Sequence, residues 1–233
     1  MKYQWILFDA DETLFHFDNF AGLKYMFARH GVTFGKTEYD EYQIVNKQLW
    51  AKYQNHQISA DQLQTRRFKL WGDRLDISPK ELNKQFLDSM AEICTTLPGA
   101  VELVTYLHEN KINMGIITNG FAQLQHIRLE RTGFQPYFSP VVISELVGVA
   151  KPHSKIFEYA SEQMGSPNKN HVLMVGDTLE SDILGGKNFG FDTCWLNHHN
   201  KEHPQEITPT HQINSLTELL AWLKSLKINN QIP

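Results

Sequence analysis

The sequence predicts an α/β protein: a parallel sheet with helices on both faces, interrupted after its first strand by a block of helices. Three observations carry this. Strand and helix patterns alternate from about residue 97 onward, as βαβ units do. A lone strand pattern, Trp5-Ile6-Leu7-Phe8, opens the chain. Between the two, residues 15 to about 95 carry helical spacing only.

Taken in order, the apolar run Trp5–Phe8 reads as a buried strand that ends at Asp9-Ala10-Asp11. On an extended chain, side chains at i and i+2 share a side, roughly 6.6 Å apart. Two carboxylates so placed are costly without a cation or a proton between them. Four helices are then expected. The first opens at Asp18 and runs through Leu23 and Met26 to Gly31, and the second opens near Thr37 with Tyr42, Val45, Leu49 and Tyr53. The third opens at Ser59 and includes Leu63, Arg67, Leu70 and Trp71, and the fourth starts at Ser78-Pro79. Four amphipathic helices in succession predict a small bundle.

From Leu97-Pro98-Gly99 the pattern changes. Strands are expected at Ile112–Thr118, Val141–Ser144, Val172–Val175 and Thr193–Leu196. Helices are expected at Ala122–Arg131, Ser154–Met164, Leu179–Asn188 and Ser215–Leu226. The stretch His198 to Thr210 reads as a polar surface loop. The first strand belongs in this sheet, so residues 1–14 and 97–233 form a Rossmann-like α/β core and residues 15–96 a four-helix insertion.

Bulk properties narrow the function. The chain has 233 residues, 41% of them hydrophobic, enough for a sizeable core. A net charge of -4 with dispersed Lys and Arg argues against nucleic acid or an acidic membrane surface as partner. No apolar run approaches the ~20 residues of a membrane span. The N-terminus runs straight into a strand without a cleavable leader pattern. The two cysteines, Cys94 and Cys194, lack metal-type spacing and read as buried free thiols of a reducing cytoplasm.

In open α/β sheets, ligands bind beyond the carboxyl ends of the strands. Those ends carry Asp9 and Asp11, then Thr118-Asn119-Gly120, then Lys151-Pro152, then Gly176-Asp177 with Asp182 five residues on. Such a set suits a divalent metal and a phosphate. A carboxylate attacks phosphorus when a metal offsets the repulsion between anions. Mg²⁺ takes oxygen ligands and keeps waters, so Asp9 and Asp177 can each give it one oxygen. Asp11 is then free to act as general acid on the leaving oxygen and general base on the attacking water. Thr118 and the backbone amides after it can hold phosphate oxygens. Lys151 can offset the charge developing in the transition state.

Asp9-x-Asp11-x-Thr13, Thr118-Asn119-Gly120, Lys151-Pro152 and Gly176-Asp177 with Asp182 resemble, in order, the four motifs of the haloacid dehalogenase superfamily. The helical insertion resembles that superfamily's type-one cap. The resemblance implies an aspartyl-phosphate intermediate on Asp9 and acid/base work by Asp11. It also implies Mg²⁺, with Mn²⁺ as a substitute, held by Asp9, the Asp11 backbone carbonyl and Asp177, with Asp182 acting through water. The segments Phe8–Phe15, Ile117–Phe121 and Gly176–Gly186 look most like the bacterial pyrimidine 5′-nucleotidase branch. Many superfamily members have Gly where Glu12 stands; the nucleotidase branch has Glu. The expected substrate is therefore a nucleoside 5′-monophosphate, with a pyrimidine base preferred. The same chemistry under a different cap would serve a sugar phosphate or phosphoglycolate.

Phe15, His16, Phe17 and Phe121 flank the motifs and are candidate substrate contacts. Tyr42, Trp50, Tyr53, Phe68 and Trp71 read as the packing core of the insertion. Arg66 and Arg67 read as a solvated helix face. His198, His199 and His203 make a His-rich loop, and no Cys or regularly spaced acid in the sequence completes a metal site there.

Overall fold

The structure, a computed structural model, describes residues 2–202 and 206–229. Among these residues, six parallel strands form one sheet in the order β3-β2-β1-β4-β5-β6. They are β1 (Trp5–Phe8), β2 (Asn113–Thr118), β3 (Val141–Ile143), β4 (Val172–Gly176), β5 (Asp192–Leu196) and β6 (His211–Ile213). Alternation along β1 divides the core. Ile6 and Phe8 face one layer, with helix α6 (Ala100–Glu109) and the C-terminal α11 (Leu216–Asn229) packed on it. Leu7 faces the other, which is filled by Ile156, Phe157 and Ala160 of α9 (Ser154–Gln163).

Five helices rather than four lie between β1 and α6 among the described residues: α1 (Asn19–Ala28), α2 (Lys36–Gln54), α3 (Ala60–Arg66), α4 (Lys69–Leu75) and α5 (Pro79–Glu92). The caps fall where expected. Asp18 accepts from the Ala21 amide, Ser59 from Gln62 and Ser78 from Glu81. The helix expected across Ser59–Trp71 breaks at Arg67 and Phe68. The break turns Arg67 inward, where it is only 5% exposed, correcting its reading as a solvated side chain; Arg66 stays exposed. Tyr42, Tyr53, Phe68 and Trp71 are buried together with Leu23, Phe27 and Phe86. The floor of this second core is supplied by Phe121 and Leu124, at the start of α7 (Ala122–Arg131).

Other departures from expectation are local. Ser144 starts a short helix, α8 (Ser144–Val147), instead of ending β3. The helix expected at Leu179–Asn188 is a wide π-type turn, Leu179–Leu184, followed by α10 (Gly185–Phe189). Helix α6 and strand β6 had no counterpart in the sequence reading. Cys194 is buried and Cys94 half-buried, and both are free thiols. No helix among the described residues is long and apolar enough to cross a membrane.

Candidate active site

Strand β1 lies between β2 and β4, so the chain reverses its direction across the sheet at the β1/β4 boundary. A crevice at such a switch point is where open α/β sheets bind ligands. Asp9 follows β1, and Asp177 follows β4. The Asp9 amide donates to Val175 O at 2.8 Å, extending the ladder by one bond. Beyond Asp9 the chain curls instead of staying extended. Ala10 O accepts from both Leu14 and Phe15 amides at 3.0 Å. The two carboxylates are neighbours, but each is held by its own cation.

Asp9 Oδ1 accepts from Lys151 Nζ at 2.7 Å, and Thr13 Oγ1 donates to Asp9 Oδ2 at 3.4 Å. Lys151, 1% exposed, also reaches Asp182 Oδ1 at 2.6 Å and Ile117 O at 2.7 Å. Burial opposes its charge, but Asp182 and Asp9 outweigh burial and raise its pKa. Asp182 also accepts from the Thr178 amide at 3.1 Å and from Ser181 Oγ at 3.1 Å. A Cβ at Gly176 would stand 2.3 Å from Asp182 Oδ2, so a residue without a side chain is what lets that carboxylate approach.

The negative charge here is crowded. Oxygens of Asp9, Asp177 and Asp182 lie within 4.8 Å of one another. Burial, with Asp9 and Asp182 adding, pushes Asp177 up to about 8. Burial also drives Asp182 up to about 6, against the pull of Lys151. One lysine does not balance three carboxylates, and an all-oxygen cluster of this kind matches what a hard dication takes. Trp195 Nε1 donates to Asp177 O at 2.9 Å and fixes the backbone of that loop.

Thr118 is buried, and its Oγ1 accepts from the Gly120 amide at 3.0 Å. The Asn119 side chain bonds the Lys151 backbone in both directions, at 3.0 Å and 2.7 Å. Asn119 therefore braces the lysine's loop, and what it can offer a phosphate is its backbone N–H. Thr118, Asn119, Gly120, Lys151, Asp9, Asp11, Asp177 and Asp182 all line one cleft of about 240 Å³, together with Trp50 and Gln54 from α2. A larger cavity, about 510 Å³, lies between α2, α3 and α8 and holds none of these residues.

Arg128 is the residue that sequence reasoning missed. It is 1% exposed on α7, pairs with Asp11 Oδ1, and stacks its guanidinium 4.4 Å from the Phe15 ring centroid. Gln125 Oε1 accepts from its Nε at 2.9 Å and its Nη2 at 2.6 Å. The available signal was its place four residues after Leu124, on the buried face of an amphipathic helix. Burial raises the Asp11 pKa and Asp9 adds to this; Arg128 and Lys151 oppose it without cancelling it.

The candidate substrate contacts separate. Phe15 is fully buried against Phe134 in the α/β core, which removes it as a contact. His16 is exposed, pairs with Glu12 at 3.1 Å, and lines a different cavity. Phe17 and Phe121 both line a small cavity beside Asp11. Glu12, which lines the cleft, also places its carboxylate within 4.8 Å of donor atoms of His198 and His199, so it supplies the acid the His-rich loop lacked in sequence. His203 lies outside the described residues.

The haloacid dehalogenase-like hydrolase family profile matches residues 3–190. The chain is 57% identical over 219 residues to pyrimidine 5′-nucleotidase YjjG of Escherichia coli K12, covering 94% of this chain and 97% of that one. It is 34% identical over 229 residues to pyrimidine 5′-nucleotidase PynA of Streptococcus pneumoniae R6, covering 96% of each. Among solved structures, the magnesium-bound putative hydrolase YfnB of Bacillus subtilis superposes with a TM-score of 0.81 at 28% identity, covering 96% of this chain and 99% of that one.

Proposed function

This chain belongs to the haloacid dehalogenase-like hydrolase family, and from that premise we propose that it is a 5′-nucleotidase. It dephosphorylates nucleoside 5′-monophosphates, with UMP, dUMP and dTMP preferred, in the cytoplasm. The observation that carries this reading is the cluster at the β1/β4 crevice: Asp9 held by Lys151, with Asp177 and Asp182 close by and Asp11 beside it. The nucleotidase relatives, each matched over nearly its whole length, support the substrate class.

Asp9 attacks phosphorus. The bond from phosphorus to the nucleoside 5′ oxygen breaks, and Asp11 gives that oxygen a proton. Water then attacks phosphorus and passes its proton to Asp11. The bond to Asp9 breaks, freeing the enzyme and inorganic phosphate. The raised pKa of Asp11 suits a residue that must start protonated. Thr118 and the amides of Asn119 and Gly120 hold phosphate oxygens, and Lys151 meets the growing negative charge. The oxygen cluster fits Mg²⁺: Asp9, Asp177 and the Asp11 carbonyl would hold it, with Asp182 behind a water. When bound, such a cation offsets the repulsion between phosphate and carboxylates. We assign residues 15–96 as a cap over a core of residues 1–14 and 97–233; its closure excludes water from the cleft.

Phosphate release from UMP, dTMP, AMP, ribose 5-phosphate and phosphoglycolate, with Mg²⁺ and with EDTA, tests the reading. Metal-dependent release peaking on pyrimidine nucleotides supports it. Release from phosphoglycolate or ribose 5-phosphate alone keeps the chemistry and removes the nucleotide.

A further inference from the structure

A cavity of about 130 Å³ opens off the catalytic cleft, with Asp11, Trp50 and Gly120 common to both. That is the liquid volume of roughly four water molecules. Its walls are aromatic and aliphatic: Phe17, Trp50, Phe86, Leu87 and Phe121. Besides Asp11 at its mouth, two polar groups are set into this apolar surround, Asn19 and Arg67.

Both have hydrogen-bonding capacity to spare. Asn19 Oδ1 is buried without a partner. The Arg67 guanidinium lies 5.1 Å from the Phe121 ring centroid and 5.0 Å from that of Phe86. Its Nε and Nη2 both go to Asn83 Oδ1, and Tyr42 also engages it. A guanidinium has five N–H donors in a rigid fork, so some remain for a ligand. Burial lowers the Arg67 pKa, the mark of a cation placed in an apolar site. An amide oxygen left without a partner is expensive in a cavity, and a polar, flat ligand would meet it while taking a spare donor of the cation beside it.

The direction is set by Asp11. In the reaction proposed above, Asp11 protonates the oxygen that joins phosphate to nucleoside. The nucleoside must therefore leave on the Asp11 side, where this cavity begins. Resting on that reading, we propose that the cavity is the base subsite and takes a single pyrimidine ring. The ring slides between the aromatic walls, Arg67 donates to a ring carbonyl, and Asn19 faces the ring's hydrogen-bonding edge. The amide presents either an acceptor or a donor, so both uracil-type and cytosine-type edges are accommodated. A fused two-ring base exceeds the space unless Leu87 gives way.

The test compares kcat/KM for UMP, AMP and ribose 5-phosphate, which has the sugar phosphate and no base. In the wild type UMP leads. Arg67→Met should cost UMP about 10- to 100-fold, the weight of a charge-assisted hydrogen bond, and leave ribose 5-phosphate unchanged. Leu87→Ala should raise AMP relative to UMP, a gain that structural damage does not produce. If Arg67→Met fails to fold, Asn19→Leu carries the same comparison. Equal losses on UMP and ribose 5-phosphate, or a wild type that favours AMP, would overturn the subsite while the phosphatase reading stands. A wild type that releases phosphate from none of the three overturns both.

Discussion

A half-buried carboxylic acid beside a carboxylate holds its proton, and Asp11 is placed to use this. Its pKa is raised by burial and by Asp9, while Arg128 pulls it down. Removing Arg128 therefore raises it further. Arg128→Met should move the alkaline limb of the kcat/KM profile to higher pH, because the acid stays protonated longer. Loss of activity with the limb unmoved would mean that Arg128 serves packing alone. Asp9→Asn should abolish turnover by about 10⁴-fold or more while leaving the fold intact, because an amide does not attack phosphorus. Asp11→Asn should slow phosphate release by about 10²- to 10⁴-fold. Measurable wild-type hydrolysis by either folded variant would remove its role. Asp9, Asp11 and Asp177 were legible in the sequence because strand ends announce themselves. Arg128 was not, since a buried charge on a helix looks like any surface arginine until its partner 117 residues away is known.

At the scale of elements, the loop after β4 turns on one glycine. A Cβ at Gly176 would meet Asp182 Cβ at 2.5 Å. Gly176→Ala should cost about 1–3 kcal/mol, or roughly 3–10 °C in Tm for a chain of this size. It should also displace Asp182 from Lys151 and reduce activity with stability. An unchanged melting temperature would show that the loop shifts freely. The alternation of β2, α7, β3, α9 and β4 was readable, because buried parallel strands are short apolar runs between amphipathic helices. Helix spacing alone did not show the break at Arg67 and Phe68. That break is fixed by what the side chains meet: Phe68 enters the helical core, and Arg67 turns toward Phe86 and Phe121. Strand β6 is three residues of mixed character at the sheet edge, His211–Ile213, too short for a period to register. The π-type turn at Leu179–Leu184 has the helical spacing of an α-helix and differs only in its bonding.

For the whole molecule, the acidic cluster makes folding answer to pH and metal together. Asp177 at about 8 and Asp182 at about 6 both lie above the value of roughly 3.9 for an unfolded aspartate. Between about pH 4 and 8 the folded state then binds more protons than the unfolded one, so these groups make stability fall as pH rises. Metal-free protein should melt at a higher temperature near pH 5 than near pH 8, and Asp177→Asn should flatten the difference. Mg²⁺ at about 100 times its Kd should restore about 2.7 kcal/mol near pH 8. Identical pH dependence in wild type and Asp177→Asn would show that this carboxylate is not the source.

The most direct test is to find the phosphoryl group itself. Turnover of UMP with Mg²⁺ is quenched in acid, the acyl phosphate is reduced with borohydride, and the modified peptide is located by mass. Modification is expected at Asp9, dependent on both UMP and Mg²⁺ and absent from Asp9→Asn. Modification at another residue, or normal phosphate release with an unmodified Asp9 peptide, would rule out Asp9 as the nucleophile.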